Sequence, residues 1–147
     1  MAVTFMWPPS LPISPTPVRK VIGRSAQTSN GWFSSHKIPD DDDMSLVAES
    51  PIERDFLILA EIDPNVTAIA AQPCTLRGDL GGKGFDATPD FALCVNGRGE
   101  IHEVKSDRAY AKPDVVRRLC SVARSVEAHG WTYSVALASE ILSLIHI

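Results

Sequence analysis

From Ile52 onward the apolar residues Phe56, Leu59 and Ala60 fall 4, 7 and 8 positions later. That spacing gathers them on one stripe of a helix and predicts an amphipathic segment facing a core. Its start is marked by Ser50-Pro51-Ile52-Glu53: a serine to cap, a proline at the first helical position, and a glutamate at the third. Asp63-Pro64 ends it. The pattern then changes to strands. Val66 to Gln72 reads as one, closed by Pro73; Phe91 to Val95 and Ile101 to Lys105 read as two more, joined through a turn at Asn96-Gly97 into a hairpin. Val115, Leu119, Val122, Ala123 and Val126 mark a second amphipathic helix, beginning near Pro113-Asp114 and closed by Gly130. Trp131 to Leu137 alternates as a fourth strand. The order helix, three strands, helix, strand predicts a mixed α/β domain with a helix against each side of the sheet.

Outside these elements the pattern breaks down. Pro8, Pro9, Pro12, Pro15 and Pro17 make the first 17 residues an extended and mobile stretch. A basic, polar segment with Arg19, Lys20, Arg24 and Lys37 follows, with a turn at Asn30-Gly31 and Trp32-Phe33 as its pin to the body. The run Asp40 to Asp43 reads as a solvated loop rather than a cation site. Gly78, Gly81, Gly82 and Gly84 predict a flexible loop, without the spacing or following helix of a phosphate-binding motif. Residues 1–43 are thus an N-terminal segment, 44–141 the domain, and 142–147 a tail.

Composition narrows the classes. A chain of 147 residues, 44% hydrophobic and 22% charged, suits one folded domain with a real core. Its net charge of −4 argues against autonomous tight binding to nucleic acid, where phosphate neutralisation supplies most of the affinity. It does not argue against a nuclease delivered to DNA by a partner. Cys74, Cys94 and Cys120 lie far apart with no CxxC pair, so they read as buried free thiols of a reducing compartment rather than zinc ligands. The start lacks the basic region of a signal peptide, and no apolar run is long enough to span a bilayer. The expectation is a soluble, cytoplasmic protein with no membrane partner.

The candidate chemistry lies in Pro89-Asp90 and, further on, Glu103-Val104-Lys105. Side chains two apart on a strand share a face, so Glu103 and Lys105 point together while Val104 points away. The hairpin turn brings Asp90 beside Glu103, and Glu53 arrives from the first helix. Hard carboxylate oxygens suit Mg²⁺ or Mn²⁺, which polarises a phosphodiester and acidifies a water; a lysine offsets charge on the transition state. Catalytic residues are therefore expected at Glu53, Asp90, Glu103 and Lys105, with the three acids as metal ligands. Each also has a purely structural reading. Glu53 completes a capping box with Ser50, Asp90 caps a turn after Pro89, and Glu103 with Lys105 is a same-face ion pair.

The PD…ExK arrangement on a hairpin, after a helix bearing glutamate, resembles the PD-(D/E)xK nuclease superfamily and implies a restriction-endonuclease-like fold. The wider run "SNGWFSSHK", "LVAESPIERDFLILAEIDPNVTAIAAQP", "TPDF" and "IHEVKSD" resembles the TnsA-like endonuclease subunit of heteromeric transposases, over roughly Val18 to Glu140. The family's catalytic acids carry over onto Glu53, Asp90 and Glu103, and its lysine onto Lys105. Glu49 is the competing acid, but the family position three before the phenylalanine is Glu53. Gln72-Pro73 matches a shared "QP" of structural or supporting role. The resemblance implies cleavage of the 5′ ends of a transposon, beside a DDE-type transposase subunit that cuts and joins the 3′ ends and a AAA+ regulator ATPase that engages both. A restriction or repair endonuclease of the same superfamily, and a non-catalytic DNA-binding or assembly subunit, are the competing readings. Arg108, Lys112, Arg117, Arg118 and Arg124 gather near the site; the last three lie on the polar face of the second helix, either touching phosphates or simply solvated. Family members continue with a C-terminal region that engages the regulator, so the resemblance implies a fragment. The closing "LSLIHI" resembles translated adapter sequence, so 142–147 is expected to be foreign and to pack poorly.

Overall fold

A computed structural model describes residues 5–14, 17–18, 31–39 and 45–145. Strands β1 (Gly31–Ser34) and β2 (Ser45–Ala48) form an antiparallel ribbon that leads into α1 (Pro51–Ile62). Then come β3 (Val66–Ala71), the pair β4 (Leu76–Leu80) and β5 (Lys83–Ala87), and the pair β6 (Phe91–Val95) and β7 (Arg98–Lys105). A single turn α2 (Asp107–Tyr110), α3 (Pro113–Ala128), β8 (Thr132–Leu137) and α4 (Ala138–Ile145) complete the chain. The central sheet runs β3-β6-β7-β8, antiparallel at the first two junctions and parallel at the last. A parallel neighbour demands a crossover, and α2 with α3 supplies it. The mixed α/β sheet with flanking helices is the architecture expected from the hydrophobic pattern.

Alternation along the strands divides the core between the two faces. Ile69, Phe91, Leu93 and Val104 pack with Phe56 and Leu57 of α1. Ala70, Ala92 and Ile101 face the other way, onto Val122 and Val126 of α3. The Phe56 and Phe91 rings stack with centroids 5.2 Å apart, joining the middle of α1 to the start of β6. This stacking matters for the site, because Glu53 and Asp90 lie just upstream of the two rings.

Several expectations need correction. The glycine-rich stretch is an ordered hairpin, β4–β5, not a flexible loop. Gly81 and Gly82 take φ of +60° and +81°, a pair of left-handed residues that a two-residue hairpin turn requires and that glycine adopts without strain. The proline-rich start, expected to be mobile, is tied down over residues 5–14. Leu11 is buried, Trp7 stacks on Trp131, the Trp131 indole N–H donates to the Pro9 carbonyl at 3.1 Å, and the Ser14 N–H donates to the Pro73 carbonyl at 2.8 Å. Proline cannot pair in a ladder, but its carbonyl still accepts. Phe33 packs on the core while Trp32 is exposed, so the pin is the phenylalanine alone. Cys74 and Cys94 are buried free thiols as expected, whereas Cys120 is exposed. In α4, Ile141 is buried and Ile145 packs on the core, while Leu142 and Leu144 stay exposed, so the tail packs in part. Arg19, Lys20, Arg24, Asn30 and the Asp40–Asp43 run lie outside the described residues. Among the described residues no helix is long and apolar enough to cross a membrane.

Candidate active site

Asp90 sits at the junction of three strands. Pro89 before it is fully buried, and its own carbonyl accepts the Gln72 N–H at 2.8 Å, which fastens the entry of β6 to the end of β3. The last registered pair is Phe91 with His102, so the next rung puts Asp90 opposite Glu103. The carboxylate reaches across: Oδ2 accepts the Val104 N–H at 2.8 Å. That bond anchors it between Glu103 and Lys105 on the neighbouring strand.

Glu103 is buried, an uncommon condition for a carboxylate. With Lys105 it lines a groove of about 310 Å³ between β7, the end of β5 and α3, where Thr88, Arg118 and Leu119 form the other walls. The strand phase read from the sequence is therefore realised. His102 and Val104 point to the opposite side, towards α1; His102 donates through Nε2–H to Glu100 Oε1 at 2.8 Å, and burial pushes its pKa down.

Glu53 lies in the first turn of α1. Its N–H donates to Ser50 Oγ at 3.2 Å, the Ser50 hydroxyl donates to its Oε2 at 3.2 Å, and the Glu49 N–H donates to its Oε1 at 3.3 Å. The capping reading is thus correct as geometry. It does not exhaust the residue, because burial first, then the negative charge of Asp90, and then that of Glu49 raise the Glu53 pKa from 4.5 to about 7. Glu49, the competing acid, is held by the Gln72 side-chain amide.

Asp90 is the pivot of the cluster. On one side it raises Glu53; on the other, it and Glu103 both push the Tyr133 phenol upward, after burial as the larger cause. Tyr133 lies on β8 beside Ile101 of β7, and its hydroxyl is buried with no hydrogen-bond partner. Among the described residues no three of His, Cys, Asp and Glu converge closely enough to hold one metal ion in this arrangement. The reason is visible in the side chains: Glu53 is folded back on its helix end, and Asp90 is turned onto the Val104 N–H.

Two residues of the site were not singled out as chemistry by the sequence. Gln72 is buried, has φ of +47°, and links Glu49 through its side chain to Asp90 through its N–H. A non-glycine residue in the left-handed region costs on the order of 1 kcal/mol and is kept where its surroundings demand it. Tyr133 is the other; alternation along the fourth strand was its only signal. The arginines expected near the site divide. Arg118 lines the groove with Lys105 and lies 4.2 Å over the Phe85 ring, Arg117 is paired with Asp114, and Arg124 faces a separate groove. Arg108 and Lys112 are exposed between β7 and α3. No protein-family model and no curated protein sequence matches the chain.

Proposed function

We propose that this chain is a metal-dependent DNA endonuclease with a restriction-endonuclease-like fold, acting through Glu53, Asp90, Glu103 and Lys105. The observation that carries the reading is the Asp90 carboxylate anchored on the Val104 N–H between Glu103 and Lys105, with Glu53 inside its field. The negative charge of Asp90 opposes the ionisation of Glu53, and a cation between them would remove that opposition. Three hard-oxygen donors are of the type that suits Mg²⁺ or Mn²⁺; Glu53, Asp90 and Glu103 would hold the ion once Glu53 turned from its helix end and Asp90 from the Val104 N–H, and it would then supply polarisation of the scissile phosphate and acidification of a water.

The chain's own residues supply the rest. Glu103 and Lys105, sharing one face of β7, present a carboxylate and an ammonium to whatever enters the groove. The ammonium orients the attacking water and offsets the charge that grows on the phosphate oxygens, more strongly in a site that excludes water. Gln72 bonds Glu49 through its side chain and the Asp90 carbonyl through its N–H, fastening the backbone at the entry of β6.

Within this reading the resemblance to TnsA-like subunits gives transposon ends as substrate and a DDE-type transposase and a AAA+ ATPase as partners, while the scattered free cysteines suit the cytoplasm as location. A second reading has one observation in its favour: among the described residues the acids do not converge on one point. It is a non-catalytic assembly subunit that keeps the fold. Strand-specific cleavage of transposon-end DNA by the purified chain with its transposase partner separates them. The endonuclease cuts 5′ ends only when Mg²⁺ or Mn²⁺ is present; an assembly subunit leaves them intact while the partner still cuts the 3′ ends.

A further inference from the structure

Among the described residues one buried side-chain polar atom has no hydrogen-bond partner, and it is the Tyr133 hydroxyl. A buried donor left unpaired destabilises a fold, and native proteins keep few of them without a use. Tyr133 is in register with Ile101 of β7, and two residues further along β8 Val135 is in register with Glu103. Its ring packs against the cluster of Ala92, Ile101 and Val122 beneath α3, the side of the sheet onto which Glu103 and Lys105 open. Leu119 of α3 walls both the Glu103 groove and a neighbouring cavity of about 350 Å³ lined by Tyr133, Tyr110 and Cys120. The phenol and the Glu103 carboxylate thus share one face of the sheet, on adjacent strands, beneath the same stretch of α3.

Burial is the first cause that keeps this phenol protonated, and the negative charge of Glu103 comes next, ahead of Asp90, Cys120 and Tyr110. A protonated phenol is a donor. A carboxylate accepts at about four lone-pair positions on its two oxygens, so one that gives an oxygen to a cation still accepts from a phenol on the other. Glu103 is on β7, which pairs with β8, whereas Asp90 lies a strand further away at the entry of β6. We propose that Tyr133 is a positioning residue of the site: its hydroxyl donates to the Glu103 carboxylate when that group ligates a divalent cation, and so fixes the carboxylate's angle to the ion. The role rests on the reading of Glu103 as a metal ligand. Donors behind a ligand commonly orient it, and losing one weakens metal affinity by about 10–100-fold. A donor that is unpaired in the metal-free protein and paired in the loaded one adds the whole of that bond to the affinity for the ion, because only one of the two states contains it.

The test measures ion binding apart from cleavage. Mn²⁺ is titrated by calorimetry into the full chain as wild type, Tyr133→Phe and Tyr110→Phe; Tyr110 lines the same cavity and is exposed. Tyr133→Phe should bind Mn²⁺ about 10–100-fold more weakly, and Tyr110→Phe as wild type does. Without metal, Tyr133→Phe should melt at or above the wild-type temperature, which makes the loss one of ligation and not of folding. A phenol that starts to donate to a carboxylate also changes its near-ultraviolet absorption. Mg²⁺ should therefore produce a tyrosine difference spectrum in wild type and Tyr110→Phe that is missing from Tyr133→Phe, a signature that a ring serving only to pack does not give. Wild-type Mn²⁺ affinity in Tyr133→Phe, or a difference spectrum that survives the substitution, overturns the role and leaves Glu103 as a ligand. A lowered metal-free melting temperature of Tyr133→Phe overturns it too, because the hydroxyl would then already be bonded. No uptake of Mn²⁺ by wild type removes the metal site, and the role of Tyr133 with it.

Discussion

Replacing Glu53 by glutamine should make the metal-free protein more stable at pH 8 and leave it little changed at pH 4.5. The carboxyl has a pKa of about 7 in the fold against an ordinary value of 4.5, raised by burial and then by Asp90. Between those values the folded protein keeps a proton that the unfolded chain releases. Stability therefore falls as pH rises through that window, and the loss is complete above pH 7. Fully expressed, the difference has a ceiling of about 3 kcal/mol at ~1.4 kcal/mol per tenfold. Glu53 is only partly enclosed, so solvent screening leaves about 1–2 kcal/mol. Glutamine keeps an oxygen that accepts the Glu49 N–H, so the helix end retains its cap while the charge is gone. Urea unfolding of wild type and Glu53→Gln at several pH values in chelator isolates this residue, since other titrating groups are common to both. A variant less stable than wild type at pH 8, or a difference that does not grow between pH 5 and 8, refutes the reasoning.

Two further outcomes concern packing around the site. A β-carbon on Gly99 would come within 2.4 Å of the buried Trp131 ring, so Gly99→Ala should cost roughly 1–3 kcal/mol; a lowered urea midpoint and faster proteolysis of the Pro9 strap check it, and an unchanged midpoint contradicts it. Tyr133→Phe removes a buried hydroxyl that has no partner, and should be neutral or stabilising by up to about 1 kcal/mol in thermal melting; a clear loss of stability would mean that the hydroxyl is bonded.

The elements legible in the sequence are those whose pattern repeats. Phe56, Leu59 and Ala60 announce α1, and the apolar-rich runs on either side of Asn96-Gly97 announce β6 and β7. The four-residue strands β1 and β2 are too short to show a period, and glycines erase it in β4 and β5. Proline-rich chain has no period at all, so the docking of Trp7 and Leu11 beside Trp131 could not be read. In the site, the shared face of Glu103 and Lys105 follows from strand geometry. The approach of Glu53 to Asp90 depends on how α1 packs through Phe56 on Phe91, a tertiary fact that spacing does not contain. Gln72 is visible only as half of a dipeptide, because glutamine is not a residue type that signals a left-handed φ.

The central claim is a cation-dependent cut made by these four side chains. The most direct measurement is cleavage of transposon-end DNA by wild type, Asp90→Ala and Lys105→Ala, in Mg²⁺, in Mn²⁺ and in chelator, paired with calorimetric titration of Mn²⁺ into each protein. Wild type should bind the ion and cut only when it is present. Asp90→Ala should lose both, because it removes a ligand at the mouth of a strand and not a core side chain. Lys105→Ala should bind the ion yet cut at least about 10²-fold more slowly, since the lysine acts on water and phosphate. Cleavage by Asp90→Ala at the wild-type rate, or cleavage by wild type in chelator, would contradict the account.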